Sequence, residues 1–138
     1  MIVILLALSA LPVSAKDKSG VLKASDLLGM KVQGLDRASL GTIKDLVIDP
    51  EQGGVDYAVL DFGGFAGIGD KYFAVPWEAF ELDQGGQYLL LDVSKKDLKN
   101  APGFDKNNWP DLSQQEVVIY QFYDVPVRKH ESRVRLNR

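Results

Sequence analysis

The 138-residue chain has no cysteine and a single histidine, His130. The first absence excludes thiol catalysis, disulfide staples and cysteine-based zinc sites. The second excludes metal ligation by paired histidines. It also leaves the one imidazole among Arg128, Lys129 and Glu131, in a charged tail that offers no buried partner to fix its tautomer for a nucleophilic triad. No serine stands in a G-x-S-x-G context, and there is neither an internal repeat nor a low-complexity tract.

A long apolar run is also missing, apart from residues 2–11, which carry no charge. Pro12 follows, and Val13-Ser14-Ala15 supplies small residues of the kind a signal peptidase cuts after. The run is short for a bilayer span, so residues 1–15 read as a secretory signal, although no Lys or Arg precedes it. The expected location is therefore exported, periplasmic or envelope-associated, with membrane anchoring if the segment stays uncleaved. Residues 16–20 form a polar linker, and the 123 residues that follow the signal suffice for one domain held by packing alone.

The net charge of −3 is unevenly spread: residues 128–138 carry five Arg or Lys against Glu131, or +4, leaving −7 on the rest. A basic tail on an acidic body can touch an anionic membrane surface, whereas the acidic body argues against nucleic acid as a partner.

Along the chain, residues 24–29 read as one helical turn, capped by Ser25 and ended by Gly29. Residues 30–34 make a short strand and 35–39 a turn around Asp36. Residues 40–48 alternate as a strand with Ile43, Asp45 and Val47 on one face. Asp49-Pro50 and Gly53-Gly54 then mark a hairpin to a return strand at 55–62. Residues 71–75 form another strand, stopped by Pro76, and Trp77 to Phe80 a helical turn. A second hairpin joins Glu81-Leu82-Asp83 to residues 87–93 through Gln84-Gly85-Gly86. Ser94 with Asp97, and Ser113 with Glu116, look like capping boxes. Val93/Leu98 and Leu112/Val117 are the matching hydrophobic staples, and the second box predicts a helix over residues 114–123 despite the strand propensity of Val117-Val118-Ile119-Tyr120. The fold class expected is mainly β: a small closed antiparallel β-barrel of about six strands with short C-terminal helices.

Chemistry is scarce. In the loop 63–70, Gly64 and Gly69 have P-loop spacing, but Asp70 stands where the lysine belongs, Lys71 comes one residue late, and a strand follows where a helix is required. That loop reads as a turn between strands, with Phe65, Ile68, Asp70 and Lys71 as candidate partner-binding residues. Asp45, Asp49, Asp56, Asp61 and Asp70 are the carboxylates near it. Asp45 is the candidate for a partly buried acid, paired with Lys or backbone N–H, while Asp49 and Asp56 read as solvated strand-end residues. Asp105-Lys106-Asn107-Asn108 opens like a calcium loop but lacks its glycine and distal glutamate. Trp77, Phe104, Trp109, Tyr120 and Tyr123 are expected to anchor the barrel to the C-terminal segment. No catalytic residue, cofactor or metal site is expected.

The order Gly29-x-x-Val32, Leu40-Gly41-x-Ile43-x-Asp45-Leu46-Val47-Ile48-Asp49, Tyr57-Ala58-Val59-Leu60-x-Phe62-Gly63-Gly64 and Phe73-Ala74-Val75-Pro76-Trp77 resembles the PRC-barrel family. The match runs over about residues 21–93, and Lys99 to Asp105 with Trp109-Pro110 resemble the tail of stand-alone bacterial members. The chain departs from the pattern at the first turn, where Ala38-Ser39 replace a glycine-containing hairpin. The resemblance implies a six-stranded barrel that docks proteins and has no shared catalytic residues. The resulting organisation is a signal at 1–15, a linker at 16–20, a PRC-barrel-like domain at 21–93, a helical extension at 94–127 and a basic tail at 128–138. The expected function is non-enzymatic: an exported binding or scaffolding module for a protein partner or a second copy of itself. The competing expectation is an envelope stress protein that binds a small molecule or ion through loop 63–70 and nearby acids.

Overall fold

The computed structural model describes residues 20–63 and 71–127. The expected signal, nearly all of the linker, the basic tail, and Phe65, Ile68 and Asp70 lie outside the described residues.

The strands are β1 (Lys31–Gln33), β2 (Ser39–Asp49), β3 (Gly54–Asp61), β4 (Lys71–Pro76), β5 (Phe80–Leu82), β6 (Tyr88–Leu91) and β7 (Phe104–Asp105). The helices are α1 (Ala24–Leu27), α2 (Lys95–Leu98) and α3 (Leu112–Phe122), with a 3-10 turn at Trp77–Ala79. The protein is mainly β, as expected, but its sheet has seven strands in the order β5-β6-β1-β2-β3-β4-β7. Nor is it purely antiparallel, because β1 and β6 run parallel. Parallel neighbours need a long connection, and the whole of β2 to β5 lies between these two. Among the described residues no ladder joins the two ends of the sheet.

Aspartates set the turns. The Asp49 carboxylate accepts the N–H groups of Glu51 and Gln52 at 2.8 and 3.2 Å, Asp83 accepts that of Gly85 at 2.9 Å, and Asp36 that of Ala38 at 3.1 Å. In each case a short carboxylate replaces a backbone acceptor and tightens the turn. Where a glycine is missing at the first turn, Arg37 adopts the left-handed conformation, φ 61°.

Helix starts follow the sequence at α2 and depart from it at α1 and α3. The Ser94 hydroxyl accepts the Asp97 N–H at 3.0 Å, and the staple residues Val93 and Leu98 are buried. At α1 the N-cap is Lys23, not Ser25; the Asp26 carboxylate accepts the Lys23 N–H at 3.3 Å. At α3 the cap is Asp111, whose carboxylate accepts the Ser113 N–H at 3.0 Å and the Ser113 hydroxyl. At α3 an ionised acceptor outcompetes a neutral serine. The earlier start places Leu112 inside the helix and leaves Val117 exposed, so the expected second staple does not form.

β2 carries the main correction to the strand pattern. Its register against β3 shifts between Ile43 and Asp45, inserting Lys44 as an extra residue. A bulge of this kind reverses the side-chain alternation beyond it. Ile43 therefore points into the core at 2% exposure, while Asp45 is exposed and accepts the Leu46 N–H at 2.8 Å. The expected partly buried Asp45 is thus a solvated residue that bonds a neighbouring backbone amide.

β3 and β4 show no alternation of burial. Tyr57–Leu60 and Tyr72–Val75 are each four consecutive buried residues. Ala58, Leu60, Phe73 and Val75 share the inner face by register. Tyr57, Val59, Tyr72 and Ala74 share the outer one, against which Trp109 and α3 pack. Tyr120 of α3 meets Tyr57 edge to face at 5.9 Å, and Phe104 and Trp109 meet Tyr72 at 6.0 and 6.2 Å. Ile119 and Tyr123 join the same buried cluster. Burying aromatic area of this size is a main source of stability in a domain held by packing.

Candidate functional site

At the stems of loop 63–70 the Phe62 N–H donates to the Lys71 carbonyl at 3.1 Å. Beside it, Gly63 donates its N–H to the Asp61 carboxylate at 2.9 Å. Asp61 thus holds the point where the chain leaves β3, a role its sequence position did not reveal.

Register then assembles a row across four strands. Thr42 of β2 pairs with Asp61 of β3, Asp61 with Tyr72 of β4, and Tyr72 with Phe104 of β7. Paired residues share a face, so the row stands on the outer side of the sheet at the foot of the loop. Trp109 completes it, packed on Phe104 at 5.0 Å and fixed by its indole N–H, which donates to the Lys106 carbonyl at 3.1 Å. Trp109 keeps 43% of its surface exposed. A cleft of about 250 Å³, lined by Ser39, Thr42, Asp61, Gly63 and Lys95 among others, opens at the polar end of the row.

Two close approaches make this end of the sheet rigid. Gly41 has φ 133°, and a side chain there would place its Cβ 2.0 Å from the Asp61 carbonyl oxygen. Gly103, just before β7, lies beneath the Phe73 ring, which a Cβ would meet at 2.8 Å. Both glycines let backbone and ring stack at a distance no other residue permits.

Of the sequence-predicted partner-binding residues, only Lys71 is described. It is half-buried at the start of β4, opposite Asp105 of β7. Phe104 and Trp109 serve as the expected anchors, while Tyr72, the residue both rest on, was not singled out. The strand β7 itself, two residues long, has no periodicity to read.

The acids near the loop do not converge. Asp45, Asp49 and Asp61 each accept N–H groups from their own turn or neighbour. Asp56 is not at a strand end but inside β3, half-buried. It lies near enough to Tyr57 and Tyr120 to help raise both phenol pKa values, after desolvation as the larger cause. Among the described residues no group of three or more His, Cys, Asp or Glu is placed to hold a metal ion.

Strands β1 to β6, with the bulged β2 and the glycine-limited loop base, coincide with a match to the PRC-barrel domain model over residues 19–98. The chain belongs to the PRC-barrel family. Such domains are typically non-catalytic modules. A comparison with curated protein sequences finds no match. The matched region ends before β7, Trp109 and α3, so the layer covering β3 and β4 is built from residues beyond it.

Proposed function

We propose that this PRC-barrel protein is a non-enzymatic docking module whose partner is a protein, engaged through the row from Thr42 to Trp109 and the segment 63–70 that follows β3 in the chain. The observation carrying this reading is a part-exposed tryptophan locked at one end of a cross-strand row whose other end opens on a polar cleft. Protein interfaces concentrate binding energy in such rigid aromatics surrounded by polar groups. An immobilised Trp109 loses little side-chain freedom on binding, and Thr42, Asp61 and Lys95 at the cleft supply the polar rim that sets register. The cleft is open and shallow, which suits a surface contact better than enclosure of a small molecule. The signal-like residues 1–15 support a place in the cell envelope, where residues 128–138 add attraction to an anionic membrane surface.

The test is capture of a partner from an envelope extract by the tagged chain, compared with Trp109→Ala and Thr42→Arg. Both variants should keep the far-ultraviolet circular dichroism of the parent under native conditions, and both should lose the partner. Retention of the same partner by both variants would contradict the proposal.

A further inference from the structure

Residues 104–123 carry β7, Trp109 and α3, and all of them lie beyond the PRC-barrel match, which ends at residue 98. Strands β1 to β6 precede that limit, so the later stretch is a strap added across the sheet. Among the described residues its only ladder to the sheet is the two-residue pairing of β7 with β4. Beyond that ladder it rests on side chains, with Phe104 and Trp109 against Tyr72 and Tyr120 against Tyr57.

Two features work against this seam. Asp56 of β3 and Glu116 of α3, both half-buried, stand one on each side of it. The charge of each adds to burial, the larger cause, in disfavouring ionisation of Tyr57 and Tyr120. Carboxylates gathered around one ring pair repel each other. The buried Tyr123 hydroxyl has no hydrogen-bond partner among the described residues, so closing the strap costs it its bonds to water. Nor does α3 hold by itself, because its 11 residues fall short of the roughly 12–15 an isolated helix needs.

We propose that the strap opens from the barrel as one cooperative unit, with β1 to β6 still folded, and that its closure switches the docking row on. The row takes Thr42, Asp61 and Tyr72 from the sheet but Phe104 and Trp109 from the strap. Only the closed state presents it whole. A partner that needs the whole row binds the closed state and holds it shut, and its apparent affinity scales with the closed fraction. The switch rests on the docking role proposed for the row, whereas the opening does not.

Native-state hydrogen exchange of the full chain reads the opening without a partner. The amides of Val118, Ile119 and Tyr120 should share one protection factor, at least about tenfold below that of Val59 and Leu60 in β3. Ile43→Val, which trims the inner face of the sheet opposite the strap, should lower β3 protection about fivefold and leave α3 protection unchanged. Tyr120→Ala should lower α3 protection about 100-fold while Val59 and Leu60 stay protected. Equal protection in α3 and β3, or a loss that α3 shares in Ile43→Val, would overturn the strap as a separate unit. Capture of a partner from the envelope extract should fall in Tyr120→Ala as exchange shows the closed fraction falling. Undiminished capture by a variant whose α3 amides are unprotected would overturn the switch. A parent chain that captures nothing would remove the docking role and the switch with it, while exchange still decides the opening.

Discussion

The two halves of the sheet solve the same problem differently. In β1 and β6 burial alternates along the strand, with Val32, Leu89 and Leu91 inside and their neighbours wholly or partly in solvent. In β3 and β4 the buried residues run consecutively, because Trp109 and α3 pack over their outer face. The bare half is stabilised from one side only and the covered half from both. Stability should therefore concentrate in the covered half, and the layer that provides it comes from outside the family-matched region.

One substitution should destroy both halves together. Gly41→Ala combines a left-handed φ with a Cβ driven onto the Asp61 carbonyl; backbone strain and overpacking sum to about 4 kcal/mol. Urea titration should find the midpoint of this variant far below that of the parent.

The contrast between the halves is sharpened by truncating one side chain in each. Tyr120→Ala, at 1% exposure beneath α3, should cost about 3 kcal/mol. Leu90→Ala, half-buried on the bare face of β6, should cost no more than about 1 kcal/mol. Equal losses in urea melts would mean that the outer layer contributes little.

A third comparison uses pH. Burial raises the pKa of Tyr57, Tyr120 and Tyr123 above the ordinary phenol value of 10.0, all three in the covered half or its lid. The folded phenols hold their protons where unfolded ones release them. Stability from this source is thus complete below about pH 10 and declines as the pH rises beyond it. Thermal melts should be flat through neutral pH and fall steeply above 10, and Tyr57→Phe should soften that fall. The smallest effect concerns Tyr123, whose buried hydroxyl has no hydrogen-bond partner among the described residues. Removing it in Tyr123→Phe should raise stability by about 1 kcal/mol.

The contrast also marks what could be read in the sequence. Turns set by Asp49 and Asp83, the Ser94 cap and the β5–β6 hairpin were legible because their causes are local. Where a face is bare, as in β1 and β6, alternation of burial is plain. Tyr57–Leu60 resisted the same reading, since burial on both faces erases the period and its cause lies some 60 residues downstream. The bulge at Lys44 inverted the assignment of Asp45 for a related reason: one inserted residue alters facing without altering composition. Asp111 displaced Ser113 as cap because the competition between them depends on charge, not on spacing. At the candidate site, Phe104 and Trp109 were recognisable as anchors. The row they complete depends on register across four strands, and no single segment encodes it.

The direct test of the covering layer is a double-mutant cycle on Tyr57 and Tyr120, whose rings meet edge to face at 5.9 Å. Urea unfolding of Tyr57→Ala, Tyr120→Ala and the double variant should give a coupling of about 1 kcal/mol, the usual value for a buried aromatic pair. Additive losses with no coupling would show that α3 does not rest on β3, and the two-layer account would fail.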